Sequence, residues 1–117
     1  MKTINKIAAA GLAAALVATS ASAQMVGNYT RDADEGPQTI VVQVIDGKLF
    51  CARESDGFEM CNGLVLSDDA RWRGRTMKHP DMPGFMTFNG TASFSETQMN
   101  LRGCAMGICD AETWDKQ

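Results

Sequence analysis

The chain has 117 residues, 44% of them hydrophobic and 21% charged, with a net charge of −3 at pH 7. That length holds one small domain, and the acidic balance argues against nucleic acid or an anionic membrane surface as a partner. Four cysteines in so short a chain make the redox compartment the first question to settle.

Lys2 and Lys6 precede an apolar run from Ile7 to Ala18, and Ala21-Ser22-Ala23 has the small-x-small form of a cleavage site. This is the pattern of an export signal, and the run is too short to span a bilayer. Residues 1–23 are therefore expected to be removed. Residues 24–117 are expected to form one domain, periplasmic or secreted from a bacterium, with no membrane segment. Cys51, Cys61, Cys104 and Cys109 all fall in that domain. An even count behind an export signal reads as two disulfides. Three connectivities exist; 51–61 with 104–109 is favoured because each pair lies across a short chain reversal. Each bridge adds ~2–3 kcal/mol if unstrained. The spacings are not those of a zinc ribbon or finger.

No segment carries a 3.6-residue period, and period two dominates. Gly27 to Thr30 reads as a short first strand, and the charged run Arg31 to Pro37 as a loop or wide turn. Thr39 to Ile45 is the clearest strand, with Ile40, Val42 and Val44 on one face. Asp46-Gly47 is a tight hairpin turn, and Lys48 to Arg53 returns. Glu54 to Gly57 is turn-like. Phe58 to Leu66 is a strand with an interruption at Asn62-Gly63, Ser67 to Asp69 a turn, and Arg71 to Met77 a strand around Trp72. Lys78 to Gly84 carries two of the three prolines and reads as a loop. Phe85 to Phe88, Asn89-Gly90 and Thr91 to Phe94 read as a second tight hairpin by the same turn chemistry. The chain closes on a third hairpin, with Met99, Leu101 and Gly103 on one face, a turn at Ala105 to Gly107, and a return from Ile108 to Trp114. About eight short strands joined by turns predict an all-β, up-and-down antiparallel meander. Closing it into a barrel removes both exposed edges by bringing the first strand to the last; a two-sheet sandwich is the alternative.

These stretches together resemble one family, the bacterial exported proteins termed domain of unknown function 2147. Gly27-Asn28-Tyr29-Thr30 resembles its opening Gly-x-Trp-x, with tyrosine for tryptophan. Asp46-Gly47-Lys48-Leu49-Phe50-Cys51-Ala52-Arg53 resembles its Asp-Gly-x-Leu-Tyr-Gly-x-Ile hairpin, with Cys51 in place of glycine. Gly63 to Leu66 resembles its short apolar strand. Trp72-Arg73-Gly74, His79-Pro80 and Gly84 resemble its Trp-x-Gly, Asp-Pro and Gly segment. Leu101-Arg102-Gly103-Cys104, Gly107, Cys109 and Thr113-Trp114 resemble its Val-Arg-Gly-Cys, Gly, Cys and Thr-Trp ending, the most specific of the pieces. The resemblance implies a lipocalin-like barrel with an internal ligand site, and it implies no catalytic residues.

The residues themselves offer little to a hydrolase, which needs a nucleophile, a base and an orienting group in mutual reach. The sole histidine is His79, and there is no Gly-x-Ser-x-Gly. A non-enzymatic binding role is expected, with no cofactor and a monomeric state. Tyr29, Phe50, Trp72 and Phe88 are candidates for a barrel lining, to take a small apolar or anionic molecule, or else are plain core. Arg102, if inward, must be paired or await an anionic group; if outward, it is solvated or pairs with Glu112. Met77, His79, Met82 and Met86 offer thioethers and an imidazole that suit Cu(I), or else are gap-filling core and loop residues. Two functional classes result. One is a small-ligand carrier or sensor, with copper as a variant of it. The other is a protein-binding module, such as an inhibitor of a periplasmic enzyme.

Overall fold

The structure, a computed structural model, describes residues 25–117; the expected export signal lies outside the described residues. Eight strands follow in order: β1 (Gly27–Ala33), β2 (Gly36–Ile45), β3 (Lys48–Arg53), β4 (Glu59–Leu66), β5 (Trp72–Met77), β6 (Phe88–Phe94), β7 (Gln98–Ala105) and β8 (Ile108–Lys116). Each pairs antiparallel with the next, and β1 pairs with β8, so the sheet is a closed up-and-down barrel. The seam is short: its register rungs are Tyr29 with Lys116 and Thr30 with Asp115. Gln117 extends it by one bond, donating its N–H to the Asn28 carbonyl at 3.0 Å.

Alternation along the strands packs side chains into the interior, which at this strand number is narrow enough for them to fill most of it. Tyr29, Ile40, Val42, Leu49, Leu64, Trp72, Ala92, Met99, Leu101 and Trp114 are all buried. The Tyr29 ring meets Phe94 edge-on at 6.2 Å, and its hydroxyl donates to the Met25 carbonyl at 2.9 Å. The turns follow the chemistry of their residues. Asp46 and Gly47 both have positive φ, 52° and 75°, as do Met106 and Gly107, at 54° and 79°. That is the left-handed pair which matches the twist of a two-residue hairpin.

Both disulfides are cross-strand pairs. Cys51 on β3 faces Cys61 on β4, with Cα atoms 4.6 Å apart, and both are buried. Cys104 on β7 faces Cys109 on β8, with Cα atoms 4.0 Å apart, beside the Met106-Gly107 turn. The expected connectivity is the one present. The interruption expected at Asn62-Gly63 is a bulge within a continuous β4, where the register slips past Gly63; a second slip passes Met60, so Met60 and Cys61 are both buried.

Two expectations are corrected. Residues 31–37 are not a loop: β1 runs on to Ala33 and β2 begins at Gly36, with only Asp34 and Glu35 between them. Of the charges that made the segment read as a loop, Asp34 and Glu35 form the turn, while Arg31 and Asp32 belong to β1, and Arg31 is buried. Nor is Asn89-Gly90 a turn. Both lie inside β6, and Gly90, without positive φ, pairs with Gly74 on one side and Gly103 on the other. Glycine is required there by close approach. A Cβ at Gly90 would strike Met77 Sδ and lie 3.1 Å from the Arg102 carbonyl oxygen. Gly74 and Gly103 are overlain in the same way by Leu64 and Phe88. This row of glycines across β5, β6 and β7 lets large side chains lie flat against the inner wall. Phe85 to Thr87, expected in the hairpin, continue the loop from Lys78 to Thr87.

Candidate functional site

In an up-and-down barrel every second connection falls at the same end. The β1–β2, β3–β4 and β7–β8 turns and the long β5–β6 loop share one end, away from the chain termini. That end holds a cavity of about 460 Å³. Its walls come from the barrel: Met60 on β4, Met77 on β5, Phe88 on β6, Leu101 on β7 and Trp114 on β8. Met82 and Met86 enter from the β5–β6 loop, and Met106 from the β7–β8 turn. The surface is mainly apolar, which suits a pocket for a small molecule.

A polar cluster borders this cavity. Arg31 follows Tyr29 on the inward face of β1 and is only 5% exposed. Glu112 precedes Trp114 on the inward face of β8. Arg31 Nε donates to Glu112 Oε1 at 2.7 Å and Nη2 to Oε2 at 3.2 Å, a forked pairing that fits guanidinium to carboxylate. Arg31 Nη1 donates to Oε1 of Gln38, its partner across the β1–β2 ladder, at 3.0 Å. Trp114 Nε1 donates to Glu112 Oε1 at 3.0 Å. His79 brings in the β5–β6 loop: its Nε2 lies 2.6 Å from Glu112 Oε2, and its Nδ1 accepts the Asp81 backbone N–H at 3.1 Å. A nitrogen that accepts carries no proton, so in the neutral ring the proton sits on Nε2 and is donated to Glu112. Arg31 Nη2, 3.0 Å from that same Nε2, is a second donor aimed at the one carboxylate.

Burial is the largest single influence on the Glu112 carboxyl and pushes its pKa up. The hydrogen bonds from Arg31, Trp114 and His79, with the Arg31 charge, outweigh it and bring the value down to about 2. On the other side, the bond to Glu112 raises the Arg31 guanidinium against the opposing effect of burial. Glu112 is thus a fixed anion with its acceptor sites filled. It ties three segments distant in sequence, β1, β8 and the β5–β6 loop, at the place where β1 and β8 part company above their short seam.

The residues singled out from sequence divide into three groups. Phe88, Met77, His79, Met82 and Met86 line the cavity together. Tyr29 and Trp72 are buried in the barrel core and take no part in the cavity wall. Phe50 is corrected, and Arg102 takes the outward of its two expected orientations without the expected pairing. Phe50 lies between the buried Leu49 and Cys51, on the outer face, with its ring beside Gly63. Arg102 borders the cavity from β7 but is exposed, on the outward row between Leu101 and Gly103. Its suggested partner, Glu112, turns inward to Arg31 instead, because Arg102 stands opposite Ala111 in the ladder. Arg31, Met60, Leu101 and Met106 were not anticipated as site residues. Extending the alternation from Tyr29 by two positions would have found Arg31.

No family model, curated protein or solved structure matches this chain.

Proposed function

We propose that this protein is an exported, non-enzymatic binding protein that holds a small, largely apolar molecule in the cavity at the loop end of its barrel. The observation that carries the reading is that cavity. Its volume, about 460 Å³, falls in the range of small-molecule pockets, roughly 300–1,000 Å³. It has apolar walls and one edge of fixed polar groups. Export to a bacterial periplasm or beyond fits the two disulfides, which persist in oxidising compartments. It also fits the N-terminal signal pattern and the resemblance of the sequence to the exported family of domain of unknown function 2147. Glu112 is ionised and saturated with donors, so its work is to hold the β5–β6 loop over the cavity.

A second reading, a protein-binding module, draws on the rim. Phe85, Met106 and Ile108 are 87%, 91% and 76% exposed at this end of the barrel. Native mass spectrometry of protein purified from the periplasm decides between the two. A chain carrying the mass of one small organic molecule, released on denaturation, is expected. Bare chains throughout, or a retained partner protein, would count against a small-molecule carrier.

A further inference from the structure

We propose that the thioethers at the loop end of the barrel form a binding site for a soft monovalent metal ion, Cu(I) in the exported protein. This rests on the pocket reading above, since it concerns the same cavity. Five of the chain's eight methionines line that one cavity: Met60, Met77, Met82, Met86 and Met106. They come from four segments, β4, β5, the β5–β6 loop and the β7–β8 turn. Met77, Met82 and Met86 are near one another in sequence, and the fold adds Met60 and Met106 to them. Met60 and Met77 are held in the wall, 3% and 2% exposed. Met82 and Met86 sit on two consecutive turns of the loop, closed by the Met82 N–H to the His79 carbonyl at 3.0 Å and the Met86 N–H to the Pro83 carbonyl at 2.9 Å. A gap-filling role explains one or two such residues. It gives no reason for five methionines from wall, loop and turn to line a single cavity.

The choice of metal follows from which donors are left. The His79 ring has both nitrogens engaged, one by the Asp81 N–H and one at Glu112. The Glu112 carboxylate is filled by Arg31, Trp114 and His79. Among the described residues there is no free cysteine, and no cluster of three or more His, Cys, Asp or Glu side chains that would hold a metal. Borderline and hard ions such as Zn(II), Cu(II) and Mg(II) need those ligands; thioether sulfur alone suits Cu(I). Binding is simple coordination, with no change of oxidation state.

The test uses Ag(I), an air-stable soft monovalent probe, on the intact oxidised protein with 13C-labelled methionine methyl groups. One equivalent of Ag(I) is expected to shift the methyl signals of Met82, Met86 and at least one of Met60, Met77 and Met106. Met25 and Met99, which lie outside the cavity, should stay in place, and Zn(II) should move nothing. Met82→Leu combined with Met86→Leu should weaken Ag(I) binding at least tenfold while the fold persists, because leucine conserves apolar volume. Unmoved cavity methyls, equal shifts at Met25 and Met99, an equal response to Zn(II), or unchanged affinity in the double variant would each overturn the proposal. An apolar fluorescent dye run in parallel separates this from the broader reading. Dye bound without Ag(I) removes the metal site alone, and Ag(I) bound without dye removes the organic-ligand pocket alone.

Discussion

Replacing Glu112 with leucine is expected to cost about 3–5 kcal/mol, because it leaves the buried Arg31 charge with no counterion. The same change takes the acceptor from Trp114 Nε1 and from His79, so the β5–β6 loop loses its tie to β8. Urea denaturation measures this directly, and against a total stability of roughly 5–15 kcal/mol the loss is about a fifth or more. Arg31→Met added to Glu112→Leu should recover most of it, since a buried ion pair replaced by matched apolar groups is often neutral. If the single variant loses less than about 1 kcal/mol, the pair is no more than a surface contact.

Acid gives the same interaction a second readout. The Glu112 pKa lies at about 2 in the folded protein against an ordinary value of 4.5. A depressed carboxyl adds stability that is fully present above pH 4.5 and is lost as the pH falls from there through about 2. The amount is on the order of 3 kcal/mol. Asp56 and Asp69 are also lowered, chiefly by hydrogen bonds from Arg53 and from Ser67 and Arg73 respectively. They remain in a Glu112→Gln variant, so the difference between the two acid melts isolates Glu112. The variant should be less stable at neutral pH and converge on the parent toward pH 2.

Deleting residues 113–117 is expected to abolish cooperative unfolding. Those residues carry both register rungs of the β1–β8 seam, through Lys116 and Asp115, the Gln117 bond to Asn28, and Trp114. Trp114 is 1% exposed, stands opposite Met99 in the β7–β8 ladder, and donates to Glu112. Trp114→Ala alone should cost ~3–5 kcal/mol, the sum of lost burial and the cavity left behind. Without the seam the sheet has two open edges and a gap at its centre. Circular dichroism during thermal unfolding should show a broad, featureless loss of signal in the truncated protein. A sharp transition near that of the parent would mean that closure through β8 contributes little.

How much of this was legible in sequence depends on range. The β2–β3 hairpin could be read because Ile40, Val42 and Val44 alternate and Asp46-Gly47 follows, all within a few residues. The disulfide pairs could be read because each spans a single hairpin. Asn89-Gly90 misled because the dipeptide that makes a hairpin turn is also what a strand uses when Met77 must cross its backbone. Nothing local separates the two cases. The polar cluster was invisible for a related reason. Arg31 and Glu112 are 81 positions apart, and Arg31 and His79 are 48 apart; only barrel closure brings them together. Arg31 looked like a loop residue because a charge on the inward face of a strand is rare without a partner, and its partner, Glu112, lay at the far end of the chain. The methionine cluster was half legible. Met77, Met82 and Met86 are neighbours in sequence, whereas Met60 and Met106 join them only in the fold.

The claim on which the functional account rests is that the loop end of the barrel receives a small apolar molecule beside Trp114. Trp114 lines the cavity while Trp72 lies in the core away from it, so Trp72→Phe leaves a single reporter at the site. The deciding measurement is a titration of that protein with 1-anilinonaphthalene-8-sulfonate, following energy transfer from the indole to the dye. The account predicts a blue-shifted Trp114 emission that is quenched saturably at one dye per chain. Ala105→Phe, which fills part of the cavity wall, should reduce the quenching without unfolding the protein. Emission typical of tryptophan in water, or a signal unmoved by the dye in a folded chain, would contradict it.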